Sequence, residues 1–230
     1  MAIRISTTSK LDGVRSWSLQ ARDTCPGSLA ADGTLVPACA GCYAVGGNYR
    51  FANVRAPREH NREDWQRASW TDDMAAALAN DRYFRWFDSG DMYSLKLARK
   101  ILDVMRRTPN TMHWLPTRMY KFAKFRPTLA AMAALPNVVV RPSSGAVDGT
   151  YTPGVHGSCI VPTIDAVPEG AMLCNAATNG GKCGPCRACY SRDVPVVAYL
   201  AHGRGMAKVV RIAAEREHAH IIKFVNIAVA

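Results

Sequence analysis

Eight cysteines are the residues of this 230-residue chain best placed by type and spacing to do chemistry. Cys25, Cys39 and Cys42 fall in one early stretch, Cys174, Cys183, Cys186 and Cys189 in a late one, and Cys159 stands apart. A C-x2-C step brings two thiolates within reach of one metal ion or cluster. Three thiolates in the early stretch leave one metal position open unless a histidine or a distant cysteine fills it. On spacing alone, zinc and an iron–sulfur cluster both suit that set. Four thiolates in the late stretch can close a site. The run Cys183-x2-Cys186-x2-Cys189 favours iron–sulfur, because zinc sites more often use two separated C-x2-C pairs. Cys159, in Cys159-Ile160-Val161-Pro162, reads as a buried structural thiol.

These readings assume a reducing compartment. The chain shows no basic-then-apolar leader and no apolar run of membrane-spanning length, so a cytoplasmic protein without a membrane partner is expected. There, clustered cysteines are metal ligands or redox groups before they are disulfides. With 48% hydrophobic residues, a sizeable core is expected.

The elements that would position the thiols follow from periodicity. Ser16 to Leu19 alternates like a strand, and the long Gly- and Pro-rich loop after it carries Cys25, Cys39 and Cys42. Pro57 opens a helical pattern to about Asn80. Strands are then expected at Tyr83–Asp88, Thr111–Pro116 and Asn137–Arg141, with helices from Met92 to about Arg107 and from Met119 to about Ala134. Further strands are expected at Ser158–Pro162, Ala171–Cys174 and Val196–Leu200, and Ile221–Val225 has a strand-like pattern. Alternation of strand and helix from 83 to 145 indicates βαβ units and a parallel sheet, barrel or open. Function in such sheets gathers at the carboxyl ends of strands. Those ends carry Ser89-Gly90-Asp91, Thr117-Arg118 and Arg141-Pro142-Ser143-Ser144. Asp91 reads either as a first-turn acid of a helix or as a carboxylate for a ligand. Arg118 and Arg141 read as surface charges or as contacts to a carboxylate or phosphate.

Net charge is +11. Between Lys96 and Arg126 stand nine basic residues, Lys96, Arg99, Lys100, Arg106, Arg107, Arg118, Lys121, Lys124 and Arg126, against Asp103 alone. The stretch is either a contact for nucleic acid or another phosphate-bearing partner, or a solvated basic face. No Walker loop, dinucleotide-binding glycine motif or nucleophile elbow is present, which counts against simple nucleotidase, dehydrogenase and esterase readings.

Cys25, then Cys39-x2-Cys42-Tyr43-Ala44 in the loop after the first strand, resembles the cluster motif of the radical S-adenosylmethionine superfamily. The first gap is thirteen residues here, where that motif has three, and Gly41 stands where an aromatic residue is usual. The lengthened gap, Phe87-Asp88-Ser89-Gly90-Asp91, Leu115-Pro116-Thr117-Arg118 and Cys186-Arg187-Ala188-Cys189-Tyr190 together resemble a bacteriophage gene-product family related to that superfamily.

The resemblance implies an α/β fold. Residues 1–150 would form a partial or full (β/α) barrel with the first cluster loop. Residues 151–230 would complete the core as a cysteine-rich extension. It further implies a 4Fe–4S cluster on Cys25, Cys39 and Cys42, whose open iron would chelate S-adenosylmethionine. Ser89, Gly90 and Asp91 would hold the methionine amino group. Arg141, Ser143 and Ser144 would face its carboxylate or ribose, and Thr117 and Arg118 would approach from the third strand. Cys174, Cys183, Cys186 and Cys189 would hold an auxiliary 4Fe–4S cluster. An electron donor would reduce the first cluster, the cofactor would be cleaved, and the host cytoplasm would be the location. Two competing readings are a zinc-stabilised nucleic-acid-binding protein and an iron–sulfur protein that has kept the scaffold without radical chemistry.

Overall fold

The structure, a computed structural model, describes residues 3–152, 156–174, 176 and 178–215. Eight strands form two sheets. β1 (Ser6–Thr7), β2 (Arg15–Trp17), β3 (Tyr83–Trp86), β4 (Met112–Thr117) and β5 (Val138–Pro142) lie in that order, with only β1 antiparallel. β6 (Gly157–Val161), β7 (Ala171–Leu173) and β8 (Val196–Leu200) form a parallel sheet in the order β6-β8-β7. A parallel bridge between Ser143 and Ser158 runs from the end of β5 to β6 and joins the two sheets. Among the described residues, no pairing joins β7 back to β1 or β2. The expected strand at 221–225 lies outside the described residues.

Alternation along the strands divides the first sheet into two faces. Trp17, Phe84, Trp86, Leu115, Val138 and Val140 join the main core with Met74, Leu78, Leu97, Ile101 and Met105. Those last residues come from α3 (Trp70–Leu78) and α4 (Leu95–Arg107), which follows β3. α4 buries Leu97, Ala98, Ile101, Leu102, Val104 and Met105 and turns Lys96, Arg99, Asp103 and Arg106 outward. The inner face carries Ser16, Arg85, Trp114 and Val139 in register across four strands.

Two expected helices are broken. The pattern assigned to 57–80 is α2 (Ala52–Asp64) followed by α3, and Pro57 sits inside α2. The break falls at Trp65–Ser69, where the Lys100 ammonium donates to the carbonyls of Trp65 and Arg67. A cation from a packed neighbour satisfies acceptors that helix ends leave orphaned. From Met119, two 3-10 turns precede α5 (Arg126–Ala133), and Pro127 lies in the first turn of that helix, where a missing N–H costs nothing.

His113, fully buried on the helix side, links β3, β4 and α4. Trp86 Nε1–H donates to its Nδ1 at 3.2 Å, and its Nε2 lies 2.9 Å from Thr108 Oγ1, which itself donates to Val104 O. Burial holds its pKa down at about 4, against 6.5 in the unfolded chain. The unfolded chain therefore takes up a proton that the native state refuses. Stability should be complete above pH 6.5 and fall as the pH drops toward 4, by about 3 kcal/mol from this residue. Urea unfolding of the wild type and His113→Gln at pH 7 and pH 4.5 checks this. The gap between the two proteins should narrow at the lower pH, and an unchanged gap would remove His113 as the cause.

Candidate metal centre

The loop after β2 lies across the carboxyl ends of the parallel strands. Asp91 N–H donates to Thr24 O at 3.0 Å, Ala38 N–H to Gly145 O at 2.9 Å, Lys121 Nζ to Gly27 O at 3.2 Å, and Tyr43 Oη to Asp88 O at 2.7 Å. The approach is close enough to require glycine. A Cβ on Gly27 would stand 2.6 Å from Arg118 Cβ, and one on Gly41 would stand 2.8 Å from the Met206 backbone. Cys25, Cys39 and Cys42 are therefore held on the rim, each half-buried and none in a disulfide. Burial pushes the Cys25 thiol up to about 12, and Asp91, Cys39 and Cys42 add to the rise. Burial also raises Cys39, opposed by Arg118 and Lys121. The three sulfurs thus lie within electrostatic reach of one another, beside two cations. An open groove lined by Arg22, Cys25, Pro26, Ser28, Leu29 and Tyr93 runs past the first of them.

The late cysteines gather elsewhere. Cys174, Cys183, Cys186 and Cys189 line one small cavity, with Leu11, Met172, Leu173 and Val197 as its apolar wall. It lies against the inner face of the sheet. Cys183 N–H donates to Lys10 O, just before β2, and Tyr190 packs edge-on against Tyr83 and Trp114. Cys189 Sγ lies 3.3 Å from Tyr199 Oη, and burial raises the pKa of both groups. Cys159 is only 1% exposed and packs with Val161, Val196 and Ala198, in keeping with a structural thiol.

Most of the rim residues expected to meet a cofactor are bonded within the chain itself. Arg141 is the clearest correction. It is fully buried, and its guanidinium donates to six backbone carbonyls, those of Gly157, Ala188, Cys189, Ser191, Val194 and Pro195. With every donor committed there, it organises the late cysteine loop and has none left for a ligand carboxylate. Ser89 donates to Leu19 O and accepts from Arg58 Nε, and Gly90 (φ +77°) leaves no room for a Cβ against Leu19 and Thr24. Both shape the loop.

Asp91 is buried and ties two strand ends together. Its Oδ1 accepts from Thr117 Oγ1 and Met92 N–H, and its Oδ2 from Arg118 N–H, each at 2.8 Å. Burial nonetheless raises its pKa against those three donors. Thr117 is occupied by Asp91 and Met119. Arg118 gives Nε and Nη2 to Ser144 O, and its Nη1 makes no hydrogen bond among the described residues. Ser143 Oγ accepts from Ser158 Oγ at 3.4 Å, and Ser144 Oγ accepts from Ala146 N–H. Arg118 is therefore a rim cation with a donor to spare near the early thiols.

Two charged residues that the sequence reading passed over complete the picture. Arg58, inside α2, is buried against Asp88, and Arg85 lies on the inner face of β3. Neither belongs to a local motif, and only strand alternation marks Arg85. The basic stretch is mostly exposed at Lys96, Arg99, Arg106, Arg107, Lys121, Lys124 and Arg126. Part of its charge is spent internally: Arg107 pairs with Asp72, Lys100 caps the break between α2 and α3, and Lys121 holds the cysteine loop.

Among the described residues, no three Cys, His, Asp or Glu side chains converge as one metal ion requires, and no helix is long and apolar enough to cross a membrane. No curated protein and no solved structure matches the chain. A family model described as Gene product 88 matches residues 4–191, which include all eight cysteines, and the chain belongs to that bacteriophage gene-product family.

Proposed function

We propose that this member of the Gene product 88 family is an iron–sulfur protein of radical S-adenosylmethionine type, with two 4Fe–4S clusters. The observation that carries the proposal is the division of seven half-buried thiols into three on the carboxyl rim and four around one cavity. Three thiolates on a rim leave a cluster with one free iron, and four close a second. On this reading the two joined sheets are the partial (β/α) barrel of that superfamily.

The described thiols do not converge as a finished ligand set, so what favours such groups is the surroundings of each set. The late set has an apolar wall and a hydroxyl donor, Tyr199, beside Cys189. The early set has Arg118 and Lys121 beside Cys39, which favour an anionic thiolate cluster. Bound on the rim, a reduced cluster would supply one electron to the sulfonium of S-adenosylmethionine, drawn from an external donor. The chain's own part is positioning. Asp91 fixes the end of β4 through Thr117 and the Arg118 amide, and Arg118 Nη1, which makes no hydrogen bond among the described residues, would take a ligand carboxylate. The Cys25, Cys39, Cys183 and Cys189 thiols, all raised by burial, are protonated when free, so loading releases protons.

The test is anaerobic purification of the full chain, with iron, sulfide and zinc quantified beside the visible spectrum. About eight irons per chain and a broad charge-transfer band are expected. Replacing Cys25, Cys39 and Cys42 by Ala should remove about half the iron and all reductive cleavage of S-adenosylmethionine. Cys189→Ala should remove the other half. One or two zincs and no colour would sink the proposal and leave the exposed basic stretch as the functional surface for nucleic acid. A brown protein that neither binds nor cleaves S-adenosylmethionine would leave iron–sulfur binding without radical chemistry.

A further inference from the structure

Strand alternation puts Phe84 and Trp86 in the helix-side core and turns Arg85 to the inner face. Arg85 stands in register with Ser16 on β2 and Trp114 on β4, and its guanidinium carbon lies 4.6 Å from the centre of the Trp114 ring. Among the described residues it has no ion pair and no hydrogen bond, and its Nε is shut off from solvent without a partner. Asp88 is the nearby carboxylate, but both its oxygens are already bonded to Arg58.

A cation–π contact contributes about 0.5–2 kcal/mol. It does not satisfy N–H donors, and a buried donor left unmet costs about 1–3 kcal/mol. The same wall holds two more such atoms. Trp114 Nε1 and Tyr190 Oη are buried without hydrogen-bond partners, and their rings lie edge to face with centres 5.8 Å apart. Arg85 Nε–H and Trp114 Nε1–H can only donate, and the Tyr190 hydroxyl can donate as well. Orphaned donors grouped around a cation call for an acceptor that carries negative charge.

The place of the group adds to this. Arg85 lies within electrostatic reach of Tyr43 and Tyr49 on one side and of Tyr199 on the other. Tyr43 directly follows Cys42, and Tyr199 contacts Cys189. The cation therefore sits between the early and late thiol sets. Part of the residue's surface remains open.

We propose that Arg85, seated on Trp114 and flanked by the Tyr190 hydroxyl, is the receptor for an oxyanion group, phosphate or carboxylate, of the molecule this protein acts on. A guanidinium fork takes either group through two parallel hydrogen bonds. The site rests on orphaned donors and register, so it holds whichever metal the cysteines carry.

The test uses the full metal-loaded chain, purified anaerobically and titrated separately with inorganic phosphate and with acetate by calorimetry. Wild type should saturate with at least one of them, and which one identifies the group on the natural ligand. Arg85→Gln should weaken that binding by roughly tenfold to a hundredfold. Arg85→Lys, which keeps the charge but loses the fork, should fall between. Arg99→Gln, on the exposed side of α4, should bind as wild type. The unfolding midpoint of Arg85→Gln should be about unchanged, because the lost attraction to Asp88 is offset by removing a buried donor that no hydrogen bond satisfies. Undiminished binding in Arg85→Gln, no saturation in wild type, or loss of binding in Arg99→Gln would overturn the proposal. So would a large drop in the Arg85→Gln midpoint, which would make the residue structural.

Discussion

Arg141→Met should cost about 3–5 kcal/mol of unfolding free energy, one of the two largest losses expected in this protein. The side chain at position 141 closes the late cysteine loop from beneath. Its Nε holds Cys189 O at 3.0 Å, Nη1 holds Gly157 O and Pro195 O, and Nη2 holds Ala188 O, Ser191 O and Val194 O. Methionine fills a similar volume and leaves all six carbonyls without that partner. No carboxylate shares the site, so removing the charge strands no counter-ion, and the cost comes from the orphaned acceptors. Burial already pulls the guanidinium below the ordinary arginine range, with only carbonyl dipoles and nearby groups holding it charged. Lysine should recover little, because one ammonium cannot reach acceptors spread around a fork. Urea unfolding measures the loss. A loss under 1 kcal/mol would mean that the loop finds its hydrogen bonds elsewhere.

Asp88→Ala should cost a similar amount, about 3–5 kcal/mol, for the opposite electrostatic reason. Arg58 Nη2 lies 3.0 and 2.7 Å from the two oxygens of Asp88, with side chains 6% and 10% exposed. Removing the carboxylate leaves a buried guanidinium, held also by Val54 O and Ser89 Oγ, without its counter-charge. Tyr49 Oη, which donates to Asp88 at 3.1 Å, loses its acceptor as well. Burial works against the charge of Asp88, but Arg58 and Arg85 outweigh it and hold the carboxyl below the ordinary range. Its contribution is therefore complete above the unfolded carboxyl pKa near 3.8 and fades as the pH falls through the lower native value. Thermal unfolding at pH 7 should show the full difference between wild type and variant, and the two should converge in strong acid. Equal midpoints at pH 7 would show that water replaces the carboxylate. Tyr49, which loses its carboxylate acceptor, packs edge-on against Tyr43 at 5.4 Å, so the early cysteine loop should loosen in the same variant, read as faster alkylation of Cys42.

Much of the sheet was legible in the chain because its signals are local. Tyr83-Phe84-Arg85-Trp86 and Val138-Val139-Val140 are short β-rich runs, each followed or preceded by a helical period of 3.6 residues. The helices at 57–80 and 119–134 were misjudged where the deciding contact was remote. Lys100, on another helix, supports the break after Asp64. The strand-end motifs show which polar residues stand there but not what each one bonds. Nothing in Arg141-Pro142-Ser143-Ser144 says that the arginine faces Gly157 and residues 188–195 and not a ligand, because those acceptors arrive from the far end of the chain.

The sequence by itself determined that the cysteines come as three and four with one left over, and that a parallel sheet would frame them. Covalent spacing and side-chain type are enough for that. Only the tertiary structure decided that the two thiol sets lie on different parts of the sheet, one over its carboxyl rim and one against its inner face. It also decided which charges are consumed: Arg141 by carbonyls, Arg58 by Asp88, and Arg85 by no described residue. Whether a buried charge is satisfied depends on partners dozens of residues away, and their approach is fixed by packing and not by any local pattern.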